Sequence, residues 1–329
     1  VSGHGAPVRI GILGAARIAP KALIKPAKKN SDVVVAAVAA RDVSRAQAFA
    51  AKHGIARVHD CYEALIADPD LDAVYNPLPN ALHGKWTRAA LAASKHVLCE
   101  KPFTANAAEA REIAEVAARS DRVVMEAFHY RYHPFALRVE EILASGELGT
   151  LQHVEATVCF WLPKFSDIRY DYSLGGGALM DVGCYAVDIV RTFGGSTPKV
   201  VSAQSKLHHA NLDRAMTAEL RFPGGHTGRV HCSMWSSDLP RFTAKVVGDR
   251  GELRLNPLIP FQRFSVRSVN AKRVERFPSR PTYAYQLDAF VAAVLNGEPV
   301  KTGPQDAVEN MTVIDAIYRA AGLPLRQPA

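Results

Sequence analysis

The 329-residue chain is poor in the features that mark out several classes of protein. Five cysteines, Cys61, Cys99, Cys159, Cys184 and Cys232, are scattered without a C-x-x-C pair, and an odd number cannot close into a full disulfide framework. The expectation is a reduced, intracellular chain. No run approaches the roughly 18 apolar residues that span a bilayer, and Val1 to Pro7 has neither a basic n-region nor an apolar h-region. A soluble, cytoplasmic protein with no membrane partner is therefore expected. Charge of one sign is not collected anywhere: 40 Lys and Arg against 32 Asp and Glu give +8, and the densest basic group, Lys25, Lys28 and Lys29, is short. Nucleic-acid binding needs a clustered basic stripe interleaved with aromatics, so no nucleic acid is expected. The basic excess instead favours anionic small molecules, phosphorylated cofactors included. The phosphate-cradling G-x-x-x-x-G-K-[ST] loop and G-x-S-x-G are both absent, which removes the kinase and serine-hydrolase readings. His129 and His133 stand at i and i+4, but Pro134 disfavours helical geometry at His133. No carboxylate or cysteine cluster completes a set there, and no metal is expected.

What is present is ordinary globular composition, 48% apolar and 22% charged, over a length that suggests two domains. The first 130 or so residues alternate short apolar runs with helical patterns, the mark of βα units on a parallel sheet. Strands are expected at Val8 to Leu13, Val33 to Val38 (read as buried on both faces), Asp72 to Asn76, His96 to Cys99 and Arg122 to Glu126. Helical spacing runs over Asp42 to Lys52, stopped by Gly54, and over Ala81 to Ala93 and Asn106 to Ala118. After Tyr132 the texture becomes β-rich: Leu151 to Trp161, Val200 to Leu207, Ala215 to Phe222, His226 to Trp235, Phe242 to Val247 and Glu252 to Leu255. One helix, Gly177 to Phe193, interrupts these strands, and two more, Tyr283 to Leu295 and Gln305 to Ala321, close the chain. The fold class is α/β: a doubly wound Rossmann domain over 1–128, then an α+β domain with an open, largely antiparallel sheet over 129–329.

After the first strand comes Gly14-Ala15-Ala16-Arg17-Ile18-Ala19, a G-x-G-x-x-G/A fingerprint with Ala16 in place of the second glycine. The first glycine makes the tight turn, and amides at a helix N-terminus attract a diphosphate. A bland strand-to-helix turn is the alternative. The second strand ends at Ala39-Ala40-Arg41-Asp42, where an acid reads the ribose 2′-hydroxyl of NAD and an arginine accommodates the 2′-phosphate of NADP. Arg41 favours NADP, with NAD possible, and Asp42 is read as a helix cap.

Ligands of open α/β sheets bind outside the carboxyl ends of the strands. That rule places Lys101, in Cys99-Glu100-Lys101-Pro102-Phe103, where a substrate would lie. A lone lysine is otherwise a solvated charge. The loop Tyr75-Asn76-Pro77-Leu78-Pro79-Asn80-Ala81-Leu82-His83 occupies the same edge, with Asn80 read first as a helix cap. On the later helix Asp181 and Tyr185, at i and i+4, share one face behind three glycines, able to bind and deprotonate a hydroxyl. The alternative there is a half-buried aromatic beside a solvated carboxylate.

Taken in order, the glycine turn, Pro77-Leu78-Pro79-Asn80 with His83, Glu100-Lys101-Pro102, and Gly175-Gly176-Gly177-Ala178-Leu179-Met180-Asp181-Val182-Gly183-Cys184-Tyr185 resemble the Gfo/Idh/MocA oxidoreductase family over nearly the whole chain. The likeness is greatest to the branch of dimeric dihydrodiol dehydrogenase, NADP-dependent D-xylose dehydrogenase and glucose-fructose oxidoreductase, in which tyrosine stands where other branches have histidine. Tyr185 is that tyrosine. The resemblance implies hydride transfer between nicotinamide C4 and a hydroxyl-bearing carbon. Tyr185 would be the acid/base, Lys101 its electrostatic partner and a donor to substrate, and Asp181 the orienting group. A free phenol near pKa 10 is a poor base, and a neighbouring cation favours its phenolate. The resemblance further implies that Gly14, Ala16, Arg17, Ile18, Arg41, Pro77, Leu78, Asn80, His83, Glu100 and Lys101 hold the cofactor, and that the open sheet forms a homodimer.

Arg131, Trp161, Arg169 and Tyr283 are candidate substrate contacts beside Asp181 and Tyr185; Tyr130, Tyr132 and Phe160 are further aromatics able to stack on a sugar ring or fill a core. Oxidation of an aldose at C1 is the first reading of the reaction. Reduction of an anhydro- or keto-sugar is the second, and oxidation of a trans-dihydrodiol the third. The alternative of another class is a non-catalytic NADP(H)-binding sensor.

Overall fold

A computed structural model describes residues 6–235, 241–255, 261–269 and 272–329; of the opening run Val1 to Pro7, residues 1–5 lie outside the described residues. Packing divides the chain into two units. The first holds the residues up to Thr104, Ala108–Tyr132 and Arg280–Ala307, and the second Ala105–Ala107, His133–Ser279 and Val308–Ala329. Against a single division after residue 128, the chain returns to its first unit for residues 280–307.

In the first unit β1 (Val8–Leu13), β2 (Val33–Ala39), β3 (Arg57–His59), β4 (Ala73–Asn76), β5 (His96–Cys99) and β6 (Val124–Glu126) form a parallel sheet in the order β3-β2-β1-β4-β5-β6. The order reverses between β1 and β4, which leaves a crevice at their carboxyl ends. The helix Val43–His53 starts where the Asp42 side chain accepts the Ser44 and Arg45 amides and stops at Gly54, which takes φ +73°. One expectation fails in detail: β2 is not covered throughout, and Val34 is 41% exposed. β3 pairs only with Ala37–Ala39, so the first half of β2 is an edge. The helix Thr282–Asn296 presents Tyr283, Leu287, Phe290 and Val291 to the core built on Ile10, Ile12 and Leu23. Each large side chain buried there is worth roughly 2 kcal/mol, and this apolar stripe is what ties residues 280–307 to the first unit.

In the second unit β7 (Leu151–Cys159), β8 (Lys199–His209), β9 (Leu212–Arg221), β10 (Thr227–Ser233), β11 (Arg241–Gly248), β12 (Gly251–Leu255), β13 (Arg263–Ser268) and β14 (Lys272–Arg276) form one sheet, β14-β13-β12-β11-β7-β10-β9-β8. Only β10 and β7 pair in parallel. Period-two alternation sends Val154, Ala156, Val158, Val230, Cys232, Ala244 and Val246 to the buried face. The opposite face carries His153, Glu155, Thr157, Thr217 and His231, with the cross-strand pairs His153 to Thr227 at 2.6 Å and Thr217 to His231 at 2.8 Å. β13 and β14 escape sequence reading because of strings such as Lys-Arg-Val-Glu-Arg, in which charge conceals the strand. The buried helix is a π-helical turn, Leu179–Gly183, running into an α-helix, Cys184–Gly194. The segment Tyr172–Gly194, interrupted by Asp181, Asp188 and Arg191, contains an 18-residue window with mean hydropathy 1.2, of which 83% is buried inside the fold.

Candidate active site

In the first unit the turn after β1 is closed by the Gly14 amide donating to the Ala39 carbonyl at 2.7 Å and the Ala16 amide to the Gly14 carbonyl at 2.9 Å. Gly14 takes φ +92°, and a Cβ there would lie 3.1 Å from Leu78 Cδ2. Glycine is thus favoured by the backbone, and a Cβ would also press on Leu78. Ala16 and Ile18 are half-buried and Arg17 is exposed. At the end of β2, Asp42 is engaged as the cap of the next helix, and its hydrogen bond from Ser44 Oγ at 2.6 Å holds its carboxyl below the ordinary value. Arg41 is exposed beside it. This edge fits a dinucleotide: Gly14 makes the tight turn, Arg41 is exposed at the end of β2, and Asp42 is turned to its own helix.

The loop after β4 is pinned from beneath. His83 is fully enclosed, with Nε2 2.7 Å from the Leu78 carbonyl oxygen and Nδ1 2.7 Å from that of Pro102. Burial pushes its pKa down to about 4, against the pull of the two carbonyls and with the Lys101 charge adding to the fall. One imidazole therefore joins the Pro77-Leu78 segment to the Lys101-Pro102 segment, whose peptide is cis. Asn80 opens a 3₁₀ turn, Asn80–Leu82, and the N-cap there is Pro79, so the helix-cap reading of Asn80 gives way. At the end of β5 the Glu100 carboxylate turns inward, accepting the Tyr75 hydroxyl at 2.7 Å, while Lys101 is half-buried.

Two expected substrate contacts also belong to this unit. Arg131 is 8% exposed, and its Nη1 donates to Asp306 Oδ2 at 3.4 Å. Tyr283 is 9% exposed, its ring centroid 4.1 Å from that of His129, with Lys21 Nζ 5.7 Å above it. Burial, with the Glu100 charge adding, raises the Tyr283 phenol. His129 itself lies in a 3₁₀ turn and His133 caps the helix Pro134–Ala144 by accepting the Phe135 amide.

In the second unit Arg169 joins two carboxylates: Nε donates to Asp181 Oδ2 at 2.8 Å and Nη1 to Asp167 Oδ1 at 3.0 Å. Asp181 raises the guanidinium pKa against the effect of burial. Asp181 lies within the π-helical turn and Tyr185 in the following α-helix, so the i, i+4 relation spans a change of helix type. Tyr185 is half-buried, edge-on to Phe242 at 6.0 Å. Trp161 is 60% exposed, its ring 5.9 Å from that of Trp235. Sequence reading missed Asp167, and it missed Asp213 and Arg326 behind the glycine turn; nothing in the local pattern around Arg326 points to a role.

Known proteins place these observations. Residues 8–128 match the family described as oxidoreductase, NAD-binding Rossmann fold, and residues 136–254 the GFO/IDH/MocA C-terminal domain. The chain is 39% identical over 317 residues, 94% of its length and 96% of the relative's, to D-xylose 1-dehydrogenase (NADP(+)) 2 of Haloferax volcanii. It is 35% identical over 253 residues, 76% of this chain and 75% of the relative, to mouse trans-1,2-dihydrobenzene-1,2-diol dehydrogenase. A 3-ketoreductase from Actinomadura kijaniata, solved with NADP and TDP-benzene, superposes with a TM-score of 0.87 at 28% identity, covering 95% of this chain and 98% of that one. The parallel Rossmann sheet and the mixed eight-stranded sheet are the fold of the Gfo/Idh/MocA oxidoreductases, and the chain belongs to that family.

Proposed function

We propose that the protein is an NADP-dependent aldose 1-dehydrogenase, oxidising a sugar at C1 to its lactone. The observation that carries the reading is the similarity, along 94% of the chain, to a D-xylose 1-dehydrogenase that uses NADP. The cofactor choice has separate support in this chain. Asp42, the acid that follows Arg41, is occupied as a helix cap instead of facing an unmodified ribose, and Arg41 is exposed there.

NADP, when bound, would supply the acceptor for the hydride that leaves C1. Gly14, Ala16, Arg17 and Ile18 would hold its diphosphate, Arg41 its 2′-phosphate, and Pro77, Leu78, Asn80, His83 and Glu100 would form or brace the wall of its site. Tyr185 takes the proton of the C1 hydroxyl, Lys101 favours the phenolate and donates to the substrate oxygen, and Asp181, oriented by Arg169, holds a second hydroxyl. The first unit is the cofactor domain, with Lys101 at its edge; the second binds substrate. Arg131 and Tyr283, buried in the first unit, support substrate residues, while Trp161 offers a face to a sugar ring.

A homodimer follows from the same reading. β8 has only exposed and half-buried residues, and its Val201 and Leu207 are 64% and 44% exposed. A second copy covering this sheet would remove that apolar area from water. All five cysteines are free thiols, four of them buried, which suits a reducing, cytoplasmic setting.

The test is reduced-nicotinamide formation by the purified protein with NADP or NAD against aldoses, polyols and cyclic diols, with Lys101→Met as control. Turnover with NADP and an aldose, lost in Lys101→Met while NADPH still binds, is the expected result. A rate that does not rise between pH 6 and 10 with chemistry limiting removes Tyr185 as the base. Tight NADPH binding without turnover in either direction replaces the enzyme by a sensor.

A further inference from the structure

The glycine turn that leads into Asp181 is held by a buried ion pair. Asp213 on β9 and Arg326, beyond the helix Pro304–Ala320, are both 0% exposed, and Arg326 Nη2 donates to Asp213 Oδ1 at 2.7 Å. Neither group spends all its bonds on the other. Asp213 Oδ2 accepts the Leu179 amide at 2.7 Å, and Oδ1 also accepts the Tyr318 hydroxyl at 3.0 Å. Arg326 Nε donates to the Gly176 carbonyl at 2.6 Å, and its guanidinium lies 4.7 Å and 4.3 Å from the ring centroids of Tyr172 and Tyr318. The segment carrying Arg326 is itself anchored, Tyr172 donating to the Leu325 carbonyl at 3.0 Å and Asn106 to that of Arg326 at 2.8 Å.

The fit leaves little slack. Gly177 takes φ +125°, and a Cβ there would lie 2.3 Å from Asp213 Oδ1 and 2.6 Å from Arg326 Nη2. From Gly177 the chain passes straight into the π-helical turn: the Asp181 amide donates to the Gly177 carbonyl at 3.0 Å, and the Leu179 amide ends on Asp213. The backbone on either side of Gly177, at Gly176 and Leu179, is thus bonded to the ion pair, and Leu179 lies two residues before Asp181 and six before Tyr185. A buried ion pair is seldom more stabilising than apolar side chains of the same volume. Its distinctive effect is directional: a planar donor and a carboxylate with fixed partners permit one arrangement of the loop they hold.

We propose that Arg326, acting through Asp213 and the Gly176 carbonyl, is a positioning residue for the hydride-transfer site, setting the backbone from which Asp181 and Tyr185 reach the substrate. This rests on the roles given to Asp181 and Tyr185 above. Misplacement of a reacting group by about 1 Å lowers turnover by about a hundredfold, so loosening this turn acts on kcat more than on cofactor binding.

The experiment compares the full-length protein with Arg326→Lys, Arg326→Ala and Asp213→Asn, and with Val266→Ala, which removes fully buried apolar volume from β13. Turnover of NADP with D-xylose is measured well below each melting temperature, beside NADPH affinity and amide hydrogen exchange of residues 175–185. The expected result is a fall in kcat of about tenfold to a hundredfold in Arg326→Ala and Asp213→Asn, with NADPH affinity within about twofold and partial recovery in Arg326→Lys. Exchange over 175–185 rises in those two variants and not in Val266→Ala. Unchanged exchange there, a kcat loss no larger than in Val266→Ala, or failure of all three polar variants to fold overturns the proposal in favour of a purely structural pair. If the parent protein oxidises no aldose, the functional reading fails by itself, and the exchange measurement still decides whether Arg326 holds the turn.

Discussion

Arg169 donates through Nε to Asp181 at 2.8 Å and through Nη1 to Asp167 at 3.0 Å, so one guanidinium fixes the carboxylate proposed to orient the substrate. Asp167 is 5% exposed and Asp181 9%, whereas the Arg169 side chain is 37% exposed. The arginine therefore sits between an enclosed acid pair and solvent.

Arg169→Ala leaves two nearly buried carboxylates without their shared cation. Because the arginine is partly solvated, the stability loss is modest, about 1 kcal/mol. The larger effect falls on the substrate: KM for the aldose rises by about tenfold while NADPH affinity holds, since a hydrogen bond to a charged group is worth about 1.5 to 3 kcal/mol. Steady-state kinetics with NADPH titration checks this, and an unchanged KM would count against the orienting role of Asp181.

His83 makes stability depend on mildly acidic pH. Its folded pKa of about 4 lies below the ordinary histidine value of 6.5, so the unfolded chain takes up the proton first as pH falls. The contribution is whole above pH 6.5 and is lost on going down to about pH 4, amounting to about 3 kcal/mol over that window. Denaturant titrations from pH 7 to 4 should show a shallower decline in His83→Gln than in the parent protein. Parallel slopes would mean that folding does not lower the His83 pKa.

Gly177 and Gly195 both have positive φ, at +125° and +75°, yet alanine should be tolerated very differently at the two. At Gly195 nothing lies within 4 Å of a new Cβ, leaving a backbone cost of about 1 kcal/mol. At Gly177 the Cβ meets Asp213 and Arg326, and the loss should reach about 3 kcal/mol or more. Thermal melts of the two variants, with equal shifts as the contrary outcome, settle the difference.

Arg273 bridges Glu147 and Glu275, and Glu275 also pairs with Arg138 at 2.9 Å. Bonding to Arg273 holds the Glu147 carboxyl below its ordinary value; at Glu275 burial opposes the fall, but Arg138 and Arg273 outweigh it. The contribution is present above the ordinary carboxylate range and is lost as pH falls below it. These side chains are 19 to 39% exposed, so the effect is small and screened. Arg273→Met should lower the melting temperature by a few degrees at neutral pH and low salt, with the gap closing in 0.5 M salt or at pH 3.

The first unit was the more legible half, for a physical reason. A parallel strand covered by helices must be a short apolar run, and the helices between must show a 3.6-residue stripe; both properties are local. Val8 to Leu13, the cap at Asp42 and the stop at Gly54 could be read for that reason. β3 could not, being three residues long, nor could β14, whose residues are mostly charged. The apolar face of Thr282–Asn296 was visible as a stripe, but its packing beside Ile10 and Ile12 was not, because periodicity shows that a face is buried and not against what.

The same division runs through the candidate site. Sequence alone determined the glycine turn, Arg41 at the end of β2, Lys101 at the end of β5 and the Asp181 to Tyr185 spacing, because each is a residue type at a fixed distance from a recognisable element. Only the tertiary structure decided that His83 joins two loops, that Arg131 pairs with Asp306, and that Asp213 and Arg326, 113 positions apart, close on one glycine. Those relations join groups far apart in the chain, and their chemistry arises only when burial removes water and leaves each polar atom to find its partner in the fold.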